Sequence, residues 1–257
     1  ALCSSAELVQ NPEDIDVLVR LGVARAKLRL LGNGIDLARF DRAAVPAEQV
    51  RRLRAEIGAR PEDVVCGAVG RLVWEKGYAE LFEAAAALRR RLPQARFVVV
   101  GPLDPDKADG LSDVDLARSR ERAGITFLGL RHDVAELYAA MDLYVLASHR
   151  EGYPRSAMEA AAMGLPMVAT DIRGCRQVVD HGTTGLLVPR RDAPALADAV
   201  ATLVADSDLR ARMGRAGSQK AHRDFDQQRV IDITLETYRQ LLASPRRRRA
   251  GTGPVSQ

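Results

Sequence analysis

From about residue 60 onward, short runs that are apolar throughout alternate with stretches whose apolar positions recur every three or four residues. Val64-Val65-Cys66-Gly67-Ala68-Val69, Arg96 to Gly101, Ile125 to Gly129, Leu143 to Ala147, Leu165 to Thr170 and Gly185 to Pro189 are of the first kind. Runs of this length, stopped by glycine, proline or polar residues, predict strands buried on both faces. Between them, Gly77–Leu92, Asp133–Met141 and Pro154–Met163 predict helices; in the first, Leu81, Ala84, Ala85 and Leu88 fall on one side. Strand and helix in alternation predict an α/β fold, a doubly wound, Rossmann-like parallel sheet. Ligands of such sheets sit beyond the carboxyl ends of the strands, so the loops that open the helices are where chemistry is to be sought.

The two ends read differently. Residues 1–42 show one short strand, a helix near Pro12 to Leu21 and a Gly32-Asn33-Gly34 turn, which is too little for a domain. They are expected to be the remnant of another domain and a linker, with residues 43–243 the main domain. Its final helix, over 226–243, carries Ile231, Leu235, Tyr238 and Leu242 on one stripe. Residues 244–257, rich in Pro, Gly and Arg, are expected to form a disordered basic tail. The opening Ala1-Leu2-Cys3-Ser4-Ser5 carries neither an initiator methionine nor a basic stretch, and reads as a chain cut from something longer.

Composition narrows the class. The chain has 257 residues, 47% hydrophobic and 28% charged, as expected of a soluble globular protein. No apolar run reaches the roughly 18 residues a membrane span needs. Three scattered cysteines (Cys3, Cys66, Cys175) lack metal-ligand spacing and an even count, so neither zinc nor a disulfide framework is expected, and a reducing, cytoplasmic setting is. The net charge of +4 is mostly Arg246 to Arg249, and aromatics are only 4%. The stacking platform of a single-strand nucleic-acid binder is therefore missing, and no nucleic-acid partner is expected. The basic tail leaves weak peripheral contact with an anionic membrane as a minority reading beside a plain solvated end.

Three loops carry candidate chemistry. In Gly70-Arg71-Leu72-Val73-Trp74-Glu75-Lys76-Gly77, glycine lets backbone approach a ligand, Arg71 offers a planar fork and Lys76 a point charge. Together they suit a diphosphate without a metal, although surface Arg/Lys pairs are common. In Glu151-Gly152-Tyr153-Pro154-Arg155-Ser156-Ala157-Met158-Glu159, one carboxylate stands in a Gly/Pro turn and the other about two turns into a helix. The helix start at Pro154 to Ser156 favours a phosphate. Glu151 suits sugar hydroxyls and Glu159 a ribose diol; the bland alternative makes them a cap and an ordinary helix residue. After the third strand, backbone at Phe127-Leu128-Gly129 could read a base edge and Arg131 could stack on its face, against the plainer reading of a strand-end turn with a solvated arginine. The four histidines, His132, His149, His181 and His222, are spread over different elements and suggest no metal site; His149, two residues before Glu151, is the one near the candidate site.

These pieces, in this order, resemble the C-terminal, donor-binding portion of a retaining glycosyltransferase with the two-Rossmann-domain GT-B fold. The family is the large group 1 type that includes bacterial capsule, lipopolysaccharide and glycolipid glycosyltransferases. The resemblance runs from Val9-Gln10-Asn11-Pro12 through Gly32-Asn33-Gly34, Gly70-Arg71 to Lys76-Gly77, Phe97 to Gly101, Phe127-Leu128-Gly129 and the two-glutamate segment. It closes at Val168-Ala169-Thr170-Asp171 with Gly174 and Gly185 to Pro189. It implies that Arg71 and Lys76 neutralise the donor diphosphate, that Glu151 positions the donor sugar rather than acting as nucleophile, and that Glu159 binds ribose. Gly152, Tyr153 and Pro154 would touch sugar and phosphates through backbone. The implied reaction is hexosyl or N-acetylhexosaminyl transfer from a nucleotide-sugar to a glycan or lipid-linked acceptor, with no metal and no cofactor; a UDP-sugar is the favoured co-substrate, GDP second. Members carry an N-terminal acceptor domain that residues 1–42 do not supply, so the chain alone is expected to bind donor and transfer poorly. The competing readings are a donor-binding module without turnover, a non-hydrolysing nucleotide-sugar epimerase, and a nicotinamide-dependent oxidoreductase. Against the last, no Gly-x-Gly-x-x-Gly follows the first strand of the main domain.

Overall fold

The computed structural model describes residues 4–243; the expected basic tail 244–257, with Arg246 to Arg249, lies outside the described residues. A small unit comes first. β1 (Glu7–Val9), α1 (Pro12–Arg20) and β2 (Leu28–Leu30) form a parallel strand–helix–strand unit around Val9, Ile15, Val23 and Leu28. The sequence reading anticipated one strand here. The second, only three residues long, exists because Glu7 to Val9 pair in register with Leu28 to Leu30. Asn11 caps α1 by accepting the Glu13 amide at 2.9 Å, with Pro12 as the first helical residue, where its missing N–H costs nothing.

After α2 (Ala47–Ile57) the main sheet begins. Its strands are β3 (Val64–Val69), β4 (Ala95–Val100), β5 (Thr126–Phe127), β6 (Leu143–Leu146), β7 (Met167–Thr170) and β8 (Gly185–Val188). They form one six-stranded sheet, all parallel, in the order β5-β4-β3-β6-β7-β8. The crossovers are α3 (Tyr78–Leu88), α4 (Asp113–Ala123), α5 (Val134–Ala140), α6 (Arg155–Ala162) and α7 (Arg173–Val178). The chain ends in α8 (Ala193–Ala205), α9 (Ser207–Asp224) and α10 (Gln227–Ala243). This is the doubly wound α/β sheet that the sequence pattern predicted. Both faces are covered, one core gathering Leu81, Leu88, Val99, Leu143 and Val200, the other Leu53, Val98, Tyr138, Tyr144 and Met158. That is why the strands carry apolar side chains at consecutive positions.

Strand order reverses between β3 and β6, where one crossover runs outward in each direction. The two strands diverge in connection at that point and leave a crevice at their carboxyl ends. Residues of the linker reinforce the same side: the Ile35 amide donates to the Phe225 carbonyl and the Gln227 amide to that of Ile35, so the chain's C-terminal region is stitched to it.

α10 is different. Ile231, Leu235, Tyr238 and Leu242 all lie exposed, Leu242 at 85%, and only Thr237 is buried. Leu21 and Leu30 of the small unit are exposed as well.

One buried charge anchors the start of the sheet. Asp63, just before β3, accepts from the Arg60 amide at 2.9 Å, from the Arg60 guanidinium at 2.8 Å and from Arg96 Nε at 2.8 Å. These bonds, Arg60's foremost, hold its carboxyl well below the usual carboxylate range despite burial. A depressed pKa contributes stability above the ordinary value, lost as pH falls through it. Asp63→Asn is therefore expected to lower stability by about 2–3 kcal/mol at pH 7. In denaturant titrations the gap from the parent should shrink below about pH 4.

Candidate active site

The β3–α3 loop and the β6–α6 loop meet at the crevice. Gly77 makes that possible. Its φ of +73° is left-handed, and a Cβ built on it would lie 2.0 Å from the Ala147 carbonyl oxygen, so only glycine lets the first loop press against the end of β6. Lys76 beside it consequently reaches Glu151, Nζ to Oε1 at 2.6 Å. Ser148 Oγ donates to the same oxygen at 2.8 Å. The Glu151 side chain is 11% exposed and that of Lys76 27%, so the pair is shielded but reachable. An ammonium has three donors and a carboxylate two accepting oxygens. With one donor and Oε1 engaged, the remaining Lys76 hydrogens and Glu151 Oε2 are open to a ligand, since neither has another partner among the described residues.

The loop that follows is held from outside. Asn11 Nδ2 donates to the Gly152 carbonyl at 3.3 Å and to that of Arg173 at 3.4 Å, while Asn33 Nδ2 donates to the Tyr153 carbonyl at 3.3 Å. Gly174 closes the back: a Cβ there would sit 2.5 Å from the Glu151 carbonyl oxygen. With both carbonyls turned toward the asparagines, α6 begins at Pro154 with no side-chain cap. Side chains cap α1, α4, α8 and α9, through Asn11, Ser112, Asp192 and Asp206, whereas α2, α3, α5 and α7 share with α6 the lack of a side-chain cap. The first-turn amides of α6 therefore remain available at the crevice, where a phosphate would satisfy them.

One turn further along α6, Glu159 Oε2 accepts from the buried Tyr138 hydroxyl at 3.1 Å, a hydroxyl that also lies 3.1 Å from the Ser156 carbonyl. Burial raises the Glu159 carboxyl above the usual range, against the opposing effects of Tyr138, Arg155 and Arg39. Arg71 is 54% exposed and donates to Asp104 at 2.7 Å. Gly70 sits where its amide meets the Val100 carbonyl, and its own carbonyl accepts from Tyr78 at 3.1 Å.

The residues singled out from sequence thus separate into two groups. Gly70, Arg71, Lys76, Glu151, Gly152, Tyr153, Pro154, Ser156 and Glu159 are on the two loops and the helix that meet at the β3/β6 crevice. Phe127, Leu128 and Arg131 lie at the sheet edge, on and after β5. There the Phe127 ring packs into the opposite face against Phe82, 5.7 Å between centroids, and the Leu128 amide is spent on the Val99 carbonyl. Arg131 is not a free stacking surface: Asp133 (2.7 Å) and Glu56 share its guanidinium. His149 turns away from Glu151, its Nε2 3.0 Å from Glu80 Oε1; the other oxygen of Glu80 is buried without a hydrogen-bond partner. Sequence reasoning missed the roles of Asn11, Asn33, Asp104, Tyr138 and Ser148. Among the described residues no group of three or more His, Cys, Asp or Glu converges as a metal site would require. Cys66 and Cys175 are free thiols buried in the core, and burial pushes Cys175 up to about 12.

A parallel sheet with a reversal of strand order, and cationic, carboxylate and helix-start groups gathered at that reversal, defines a Rossmann-like domain with its polar groups clustered at the crevice. Comparison with known proteins makes this specific: residues 49–220 match the family described as Glycosyl transferases group 1, and the chain belongs to that family. Among similar proteins is the D-inositol 3-phosphate glycosyltransferase of Saccharomonospora viridis, 34% identical over 92% of this chain and 56% of that protein. Another is the N,N'-diacetylbacillosaminyl-diphospho-undecaprenol alpha-1,3-N-acetylgalactosaminyltransferase of Campylobacter jejuni, 27% identical over 89% of this chain and 58% of that protein. The chain thus spans little more than half the length of these relatives. The fold matches that of Anabaena Alr3699/HepE, solved with UDP and glucose, at a TM-score of 0.79 and 24% identity, covering 94% of this chain and 64% of that one. No helix among the described residues is long and apolar enough to cross a membrane.

Proposed function

We propose that the chain supplies the donor site of a retaining, metal-independent glycosyltransferase that moves a hexosyl or N-acetylhexosaminyl group from a nucleoside-diphosphate sugar to a glycan or lipid-linked acceptor. The observation that carries this is the Lys76–Glu151–Ser148 cluster beside the uncapped start of α6 at the strand-order reversal. In this reading the diphosphate lies on the α6 amides, Lys76 and Arg71, and Arg71 exchanges Asp104 for phosphate. Glu151 Oε2 accepts from sugar hydroxyls and Glu159 from the ribose diol. The bond from the anomeric carbon to the diphosphate oxygen breaks, its electron pair staying with phosphate. The acceptor oxygen bonds to that carbon on the same face, and its proton passes to the departing phosphate. Fixed cations at the leaving oxygen are the main source of rate enhancement. No cofactor takes part.

The UDP held by Anabaena Alr3699/HepE favours UDP as the carrier, and the undecaprenol-linked substrate in the name of the Campylobacter jejuni relative allows a lipid-linked acceptor, which would place the reaction at the cytoplasmic face of a membrane. A second reading has its own support. The bare apolar stripe of α10 and the exposed Leu21 and Leu30 suit burial by an acceptor-binding domain, so residues 4–243 by themselves would bind donor and turn over poorly without one.

Calorimetry with UDP, GDP, ADP and NAD tests the reading. One nucleoside diphosphate should bind, and Arg71→Ala should weaken it roughly ten- to over a hundredfold, as loss of a charge-assisted bond predicts. Preference for NAD, or binding indifferent to Arg71, would overturn the donor-site reading.

A further inference from the structure

An open groove of about 690 Å³ is lined by Trp74, Glu75, Asp109, His149, Arg150, Arg190 and Arg191. It is bounded by the loops leaving β3, β4, β6 and β8, all at the carboxyl edge of the sheet. Those loops are tied together: the His149 amide donates to the Glu75 carbonyl at 2.8 Å, and Arg190 to the His149 carbonyl at 3.4 Å. Trp74 and Glu75 immediately precede Lys76, and Arg150 immediately precedes Glu151, so the groove adjoins the reacting centre along the chain, although neither Lys76 nor Glu151 lines it.

Its charge is not spent internally. Arg51, Arg54, Arg60, Arg71, Arg131, Arg173 and Arg176 have carboxylate partners, while others elsewhere, Arg89, Arg118 and Arg155 among them, have none among the described residues. In the groove only Arg150 does, with Glu75 at 2.7 Å. Arg190 and Arg191 are exposed and pair with no carboxylate among the described residues. Arg191 also has a φ of +61°, the one non-glycine among the described residues in the left-handed region. Glycine or asparagine would adopt that conformation with less strain, so the position carries a side chain where backbone economy favours none. A strained arginine beside a second unpaired arginine, on a ligand-binding edge, indicates a site rather than a solvated face.

We propose that this groove is a subsite for an anionic saccharide, a sugar unit bearing a carboxylate or phosphate, and that it holds the acceptor during transfer. The forks of Arg190 and Arg191 match carboxylate and phosphate oxygens, and the indole of Trp74 offers an apolar face to a sugar ring. The role as acceptor subsite rests on the donor-site reading above; the binding of an anionic saccharide does not.

Trp74 is the only tryptophan of the chain, so its fluorescence reports on the groove directly. The protein, free and saturated with UDP, would be titrated with a uronic-acid trisaccharide, its carboxyl-reduced neutral counterpart, a hexose 6-phosphate and inorganic phosphate. The charged trisaccharide is expected to change the signal at least tenfold more tightly than the neutral one. Arg190→Gln/Arg191→Gly, whose glycine suits the backbone, should remove that preference while calorimetric UDP affinity stays as in the parent. If the hexose phosphate rather than the uronate shows the preference, phosphate is the anion recognised and the subsite stands. Equal affinity for charged and neutral sugars, an unchanged preference in the double variant, or inorganic phosphate binding as tightly as either sugar overturns the subsite. Loss of UDP binding in the parent overturns the donor reading instead, and leaves the saccharide result to be judged alone.

Discussion

Lys76→Ala is expected to slow release of nucleoside diphosphate from the sugar donor by about 10²–10³-fold, the cost of removing a preorganised group from a developing charge. The effect should fall mainly on kcat. In the empty site the ammonium already has a partner, Glu151 Oε1 at 2.6 Å, so part of its attraction for a ground-state diphosphate is offset. Its full worth appears only as the bond to the sugar breaks and negative charge gathers on the leaving oxygen. Alanine also leaves the Glu151 carboxylate with Ser148 as its one remaining partner, close to where that charge forms. Adding Glu151→Gln should therefore cost less in the Lys76→Ala background than in the parent, a coupling that a double-mutant cycle measures. Steady-state kinetics at saturating donor, with acceptor and the acceptor-binding partner present, provide the check. A kcat within a factor of two of the parent would remove Lys76 from the leaving-group role.

How much of this was legible beforehand depends on the range of the interactions involved. The main strands could be read because each is apolar at consecutive positions, a property of a few neighbouring residues. β5 is shorter than its apolar run, since only Thr126 and Phe127 pair with β4 before the chain turns away. Residues 190–225, to which the sequence reading assigned no element, form α8 and α9. α9 is hidden by its glycines, which read as breakers. Gly214 and Gly217 are instead the contact face: a Cβ on Gly214 would lie 2.1 Å from the Gly164 carbonyl oxygen just after α6. The functional loops follow the same rule. Arg71, Lys76 and the two glutamates stand out because their chemistry is in their side chains. Ser148 and Tyr138 became visible only once the fold set them against Glu151 and Glu159. Asn11, which reads from sequence only as part of the family resemblance, caps α1 and also holds Gly152 from 141 residues away.

Glu159→Gln is expected to weaken nucleoside diphosphate binding about tenfold or more while stabilising the empty protein, and the two effects have one cause. The carboxyl is partly buried, and desolvation outweighs help from Tyr138, so its pKa lies above the usual glutamate range. An acid whose folded pKa is raised gains stability as pH falls through that pKa and loses it as pH rises, because the folded state then holds a charge it solvates poorly. Above that raised pKa the parent carries the charge and glutamine does not, so the variant is expected to be the more stable of the two in denaturant titration. Binding moves in the opposite direction. A ribose diol donates to an ionised carboxylate more strongly than to an amide oxygen, and the loss should equal about 1.5–3 kcal/mol. The parent's affinity should rise with pH up to the raised pKa of Glu159 in the empty protein and then level off, whereas the variant's should lack that step. The nucleotide's own phosphate ionisation affects both proteins equally, so the difference between the two curves isolates Glu159. If glutamine destabilises the empty protein and leaves binding intact, the Glu159–Tyr138 bond at 3.1 Å is a structural tie within the α5–α6 layer and the ribose contact belongs elsewhere. If stability and affinity separate as expected, the partly buried charge is maintained at a cost to the fold, which only a ligand that uses it explains.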